Sequence, residues 1–91
     1  MGRRERIISL LEKKFSDSFI EVSDDSHLHA DHNPDAKLGG THFSIKIVSK
    51  VFKGKSRIEK HRMVNNILDS EFRDGLHALS LILSEDEWYK N

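Results

Sequence analysis

THFSIKIVSKVFKGKSRIEKH, Thr41 to His61, decides how the rest of the chain is to be read. Phe43, Ile45 and Ile47 alternate with His42, Ser44 and Lys46, the period-two pattern of a strand with one buried face. The turn residues KVFKGKS follow, and Ser56 stands three before Glu59, the spacing of a capping box that opens a helix. Ile58, His61, Val64, Leu68 and Phe72, with Ile67 beside them, mark one stripe of a helix of roughly four turns, so His61 is predicted in the apolar face. Gly75 supplies the left-handed residue that stops this helix. HALSLILS then puts His77, Leu79, Leu81 and Leu83 on one side of a strand and Ala78, Ser80 and Ile82 on the other, nearly apolar on both faces. A strand, a crossover helix and a further strand predict a parallel pair.

The flanks fit around this unit. Ile7, Ile8, Leu11 and Phe15 recur at helical spacing between charges, predicting an amphipathic first helix that ends near Phe15. Phe19 to Ser23 reads as an edge strand, able to pair antiparallel with the strand that opens at Thr41. Residues 24–40 are polar, contain Pro34 and Gly39-Gly40, and form a loop. Ser84 and Glu87 repeat the capping-box spacing before Trp88, predicting a short C-terminal helix. The whole is expected to be one α+β domain over residues 1–91, a three-stranded mixed sheet with helices covering one face.

Composition agrees. A chain that is 36% hydrophobic and 33% charged, with one proline, suits a small folded domain better than a disordered segment. No apolar run approaches a membrane span and no short apolar signal core follows the start, so a cytoplasmic protein is expected. With no cysteine, the chain has neither a disulfide nor a thiolate metal site of its own. The zero net charge conceals an asymmetry. Seven basic residues lie between Lys46 and Arg62 against the single acid Glu59, so this stretch carries +6 and the remainder −6. Such a stretch is either a solvated helix and turn or a surface for a polyanion.

HLHADH, His27 to His32, matches the H-x-H-x-D-H signature of metallo-β-lactamase-like hydrolases. Those enzymes take further ligands from distant loops on a two-sheet scaffold, and 91 residues provide one modest core. No nucleophile elbow or phosphate-binding glycine motif accompanies it. The match is coincidental, and the chain is expected not to be an enzyme.

Several residues in order carry a more specific resemblance. Asp25-Ser26-x-x-His29, Thr41-His42-Phe43, Val48-Ser49, Phe52-x-Gly54, Lys60-His61-Arg62 and His77-Ala78-Leu79 together resemble the BolA proteins, from the first helix to Glu87-Trp88. The resemblance implies an α-β-β-α-α-β fold similar to a class II KH domain, with a short extra helical turn near Gly54 to Ile58. KH domains grip nucleic acid with a G-x-x-G loop. Here Gly54 stands alone, and Lys60 replaces the first arginine of the family's R-H-R signature, keeping charge but losing bidentate geometry.

The resemblance also implies a partner and a cargo. BolA proteins pair with monothiol glutaredoxins and share a [2Fe–2S] cluster, in iron–sulfur delivery and iron sensing. Some are described as DNA-binding transcriptional regulators of stress and morphology. A cluster can be held by thiolates on one iron and two imidazoles on the other, so a cysteine-free chain can take part through histidines. The resemblance assigns the loop ligand to His29 and the second to His77, with His27, His32 and His42 as secondary candidates, and the partner's cysteine and glutathione on the other iron. Without it, His77 is a structural histidine beside Leu79, and the loop histidines are solvated residues able to pick up zinc or nickel. His61 is read as structural, hydrogen-bonded inside. The alternative function, DNA binding, would use Lys53, Lys55, Arg57, Lys60 and Arg62 against phosphates. Alone, the chain is expected to be a monomer or a weak homodimer.

Overall fold

The structure, a computed structural model, describes residues 2–26 and 41–85. Helix α1 (Arg3–Lys14) leads to strand β1 (Phe19–Asp24). Then come β2 (His42–Val48), a 3-10 turn (Lys50–Phe52), α2 (Arg57–Ile67), α3 (Asp69–Arg73) and β3 (Ala78–Ser84). The strands lie in the order β1-β2-β3, β1 antiparallel to β2 and β3 parallel to it. This is the mixed three-stranded α+β arrangement expected from the order of elements, with β1 at an edge. The predicted helix after Ser84 lies outside the described residues.

Alternation in β2 decides which face is covered. Phe43, Ile45 and Ile47 are buried, while His42, Ser44 and Lys46 on the opposite face are half-buried. Ile7 and Leu11 of α1 and Phe15 just after it meet Val22 of β1, Phe52 of the 3-10 turn, Val64 and Leu68 in one core. The rings of Phe15 and Phe52 are tilted at a centroid distance of 5.1 Å. Burying each large apolar side chain contributes about 2 kcal/mol.

Three expectations need correction. The crossover is not one helix: α2 ends at Ile67, Leu68 caps it, and α3 begins with Asp69. Asn65 and Asn66 are weak helix formers, and the break turns Glu71 inward to the arginines of α1. The extra helical turn precedes Gly54 rather than spanning Gly54 to Ile58. It starts from Ser49, whose Oγ accepts the Val51 N–H at 3.1 Å, and Gly54, at φ +76°, turns the chain out of it.

Third, the stripe on α2 buries less than its spacing implies. The capping box fixes the helix start at Ser56, with Ser56 Oγ accepting from Glu59 N and Glu59 Oε1 from Ser56 N, but Ile58 in that first turn is 62% exposed. Full burial begins at Val64, flanked by the partly buried Met63 and Ile67, and His61 is half-buried rather than in the core. As expected of a sheet with helices over one face, β3 packs on one side. Leu79, Leu81 and Leu83 pack against the core, and Ile82 opposite them is 46% exposed, with none of the described helices over that side of the sheet.

Candidate metal centre

Parallel pairing of β2 and β3 brings their first residues to the same end of the sheet, His42 opposite Ala78. Thr41, the residue before β2, holds this end together. Its carbonyl accepts the N–H groups of His77 at 2.8 Å and Ala78 at 3.2 Å. Its own N–H donates to Ser26 Oγ at 2.9 Å.

Ser26 is buried and completes the junction. Its Oγ also accepts from His42 N at 3.1 Å and donates to Asp24 Oδ1 at 2.6 Å. Asp24 Oδ1 further takes the Ser26 N–H at 2.9 Å, the local Asx geometry that lets the chain leave β1. Residues 26 and 41, which flank the segment outside the described residues, are thereby tied together beside the start of β3. Asp25 is engaged as well: its N–H donates to the His42 carbonyl at 2.8 Å, and its carboxylate accepts from the hydroxyls of Ser23 and Ser44.

Two imidazoles meet over this junction. The rings of His42 and His77 stand edge to face, with centroids 5.7 Å apart and planes at 73°. The Thr41 hydroxyl and His42 Nδ1 are hydrogen-bonded at 2.8 Å. His77 is exposed and His42 half-buried, so the pair faces outward from an ordered backbone. Two neighbouring imidazoles are a donor set suited to iron, zinc, nickel or copper.

The other site residues read from the sequence fall as follows. His27, His29 and His32 lie outside the described residues. His61 projects from the middle of α2 and is not joined to the His42 and His77 pair. Lys53, Arg57 and Arg62 are exposed, Lys55 and Lys60 half-buried, and none of the five forms an ion pair with another described residue. This basic segment begins at the far end of β2, roughly 20 Å from His42 at a strand's rise per residue. That end also has an open cleft of about 700 Å³ between Lys14, Phe19, Val48 and Val51, with no histidine in its lining.

Two contributors to the histidine end were missed as functional residues. Ser26 and Thr41 were noticed only as parts of a resemblance, and their signal was faint: a serine after two aspartates, and a threonine before a histidine. Only pairing of the strands shows that one hydroxyl closes the loop and the other touches an imidazole.

Comparison with known proteins agrees with this architecture. A protein-family model described as BolA-like protein matches residues 11–87. SufE-like protein 1 of Arabidopsis thaliana, named as chloroplastic/mitochondrial, is 40% identical over 85 residues, covering 89% of this chain but 23% of that protein. The Escherichia coli protein named DNA-binding transcriptional regulator BolA is 35% identical over 79 residues, covering 86% of this chain and 70% of that one. Among solved structures, the BolA domain of SufE1 from Arabidopsis thaliana superposes with a TM-score of 0.81 at 40% identity, covering 93% of this chain and 94% of that domain.

Proposed function

Because the chain belongs to the BolA-like family, we propose that it is a non-enzymatic adaptor that docks on a monothiol glutaredoxin and shares a [2Fe–2S] cluster with it. In this proposal His77 ligates one iron together with an imidazole of the loop, His29 in the first place and His27 or His32 in its absence. The partner's cysteine and a glutathione thiol hold the other iron. The cluster is cargo, passed on or used to report iron supply, and a cytoplasmic setting belongs to the same proposal.

One observation carries the proposal. Hydrogen bonds join Thr41, at the end of the histidine loop, to the backbone of His77 and to Ser26 at the loop's beginning. A loop with both ends fixed beside an exposed imidazole has little distance to cover before a second imidazole reaches the same iron, and that reduces the entropy lost on ligation. The absence of cysteine leaves the thiolates to the partner, which suits the mixed thiolate and imidazole ligation known for such clusters. The test is to mix the protein with a cluster-loaded monothiol glutaredoxin and record visible absorption and circular dichroism. A new spectrum that is lost on replacing His29 and His77 by alanine is expected. An unchanged spectrum, or a changed one that survives both replacements, contradicts the proposal.

DNA binding is a second reading, favoured by the name of the Escherichia coli relative. Lys53, Lys55, Arg57, Lys60 and Arg62 follow one another through the turn at Gly54 and the first turns of α2, with Glu59 the one acid among them and no ion pair to any of the five among the described residues. If all five contact phosphates of a duplex, the logarithm of the binding constant falls against log salt with a slope of about −4.5. A shallow slope without preference among duplexes would leave only nonspecific attraction between charges.

A further inference from the structure

We propose that His42 and His77 form a seat for one divalent transition-metal ion of the imidazole-preferring class, such as Zn2+, Co2+ or Ni2+, held by this chain alone without thiolates from any partner. A metal about 2 Å from one nitrogen of each of two imidazoles sets the ring centroids roughly 5 to 6 Å apart. The observed separation is 5.7 Å with the planes at 73°, so little more than a rotamer adjustment brings both rings onto one ion. The backbone that carries them is pinned. His42 N donates to Ser26 Oγ, His77 N donates to Thr41 O, and His42 and Ala78 are register partners in the ladder.

Thr41 supplies what a metal-binding histidine ordinarily requires, a fixed partner for its second nitrogen. Its buried hydroxyl sits 2.8 Å from His42 Nδ1. With the proton on Nδ1 and the hydroxyl accepting it, the lone pair lies on Nε2, and coordination falls to that atom. Thr41 is thus a positioning residue for the seat. Among the described residues no group of three potential ligands forms, so the described part of the seat is these two imidazoles. Asp25, a nearby carboxylate, is occupied by the hydroxyls of Ser23 and Ser44.

The seat does not depend on the iron–sulfur reading, but it shares His77 with it. A neutral imidazole has one lone pair to give, so a divalent ion and a cluster that both use neutral His77 exclude each other.

The experiment titrates Ni2+ into the isolated, tag-free chain carrying His27→Gln, His29→Gln and His32→Gln, with no glutaredoxin or iron present, followed by calorimetry. One ion per chain is expected. Adding His42→Gln or His77→Gln is expected to weaken binding about tenfold or more, and Thr41→Val about tenfold, the usual scale for an outer-shell partner. Absence of stoichiometric binding, or affinity unchanged by His42→Gln, overturns the proposal. Should a variant fail to fold, Co2+ added to the chain with both rings intact decides instead. Paramagnetically shifted ring N–H signals from both His42 and His77 support the seat, and shifts at one ring alone refute it.

Discussion

Ser26 makes every hydrogen bond that a hydroxyl can make, donating to Asp24 Oδ1 while accepting from the N–H groups of Thr41 and His42. Replacing it by alanine orphans two N–H donors at a buried junction, and a loss of roughly 2 to 3 kcal/mol in urea unfolding is expected. A loss within experimental error would show that water or a shifted loop satisfies both donors. Gly54 is the complementary case, a residue chosen for backbone conformation alone. An added Cβ would meet no atom within 4 Å, yet φ is +76°, so Gly54→Ala is expected to cost about 1 kcal/mol in thermal unfolding through strain and not through a clash. Gly54 and Gly75 were visible in the sequence as punctuation. The role of Ser26 was not, because a hydroxyl that bonds across 15 residues leaves no local periodicity.

Between elements, the ion cluster joining α1 to α3 governs how the short helix is held. Glu71 is buried, and its carboxylate accepts from Arg3 Nη1 at 2.9 Å and from Arg6 Nε at 3.1 and 3.2 Å. Hydrogen bonding from Arg6 is the largest influence on this carboxyl and holds it below the ordinary glutamate range, reinforced by the charges of Arg6 and Arg3 against the opposing effect of burial. A carboxyl depressed in the folded state binds fewer protons there than in the unfolded chain. Its contribution is therefore complete above an unfolded pKa of about 4.3 and is lost as pH falls through the lower folded value. Glu71→Gln is expected to flatten the acid limb of the stability profile below about pH 4, measured by urea titration at stepped pH. Glu71→Ala, which leaves Arg3 in a largely buried site, is expected to cost about 2 to 3 kcal/mol, short of a fully buried pair because Arg6 is partly solvated. Equal acid limbs in wild type and Glu71→Gln would remove the cluster from this account. None of this was legible in the helix stripe from Ile58 to Phe72, since spacing reports which residues share a face and not where two asparagines let the helix break.

At the scale of the whole molecule, the sequence was informative where one face of an element is buried. Phe43, Ile45 and Ile47 alternate in the chain and are buried in the fold, and the crossover that makes β3 parallel to β2 followed from the intervening helix. That parallel pairing places His77 beside His42, a neighbour that separation along the chain obscures. The site was legible only in part. His77 emerged through resemblance to a family, while its contact with His42 depends on strand register, and among the loop histidines only the Asp25-Ser26-x-x-His29 spacing of that resemblance singles out His29. The central claim is that this chain gives imidazole nitrogen to an iron of a cluster whose thiolates come from elsewhere. The most direct measurement is pulsed electron paramagnetic resonance on the reduced mixed complex, prepared with 15N-histidine in this chain only and a monothiol glutaredoxin unlabelled. The account requires strong 15N couplings from two histidines, one of them lost on replacing His77 by alanine; a reduced cluster with no strong 15N coupling from this chain would contradict it.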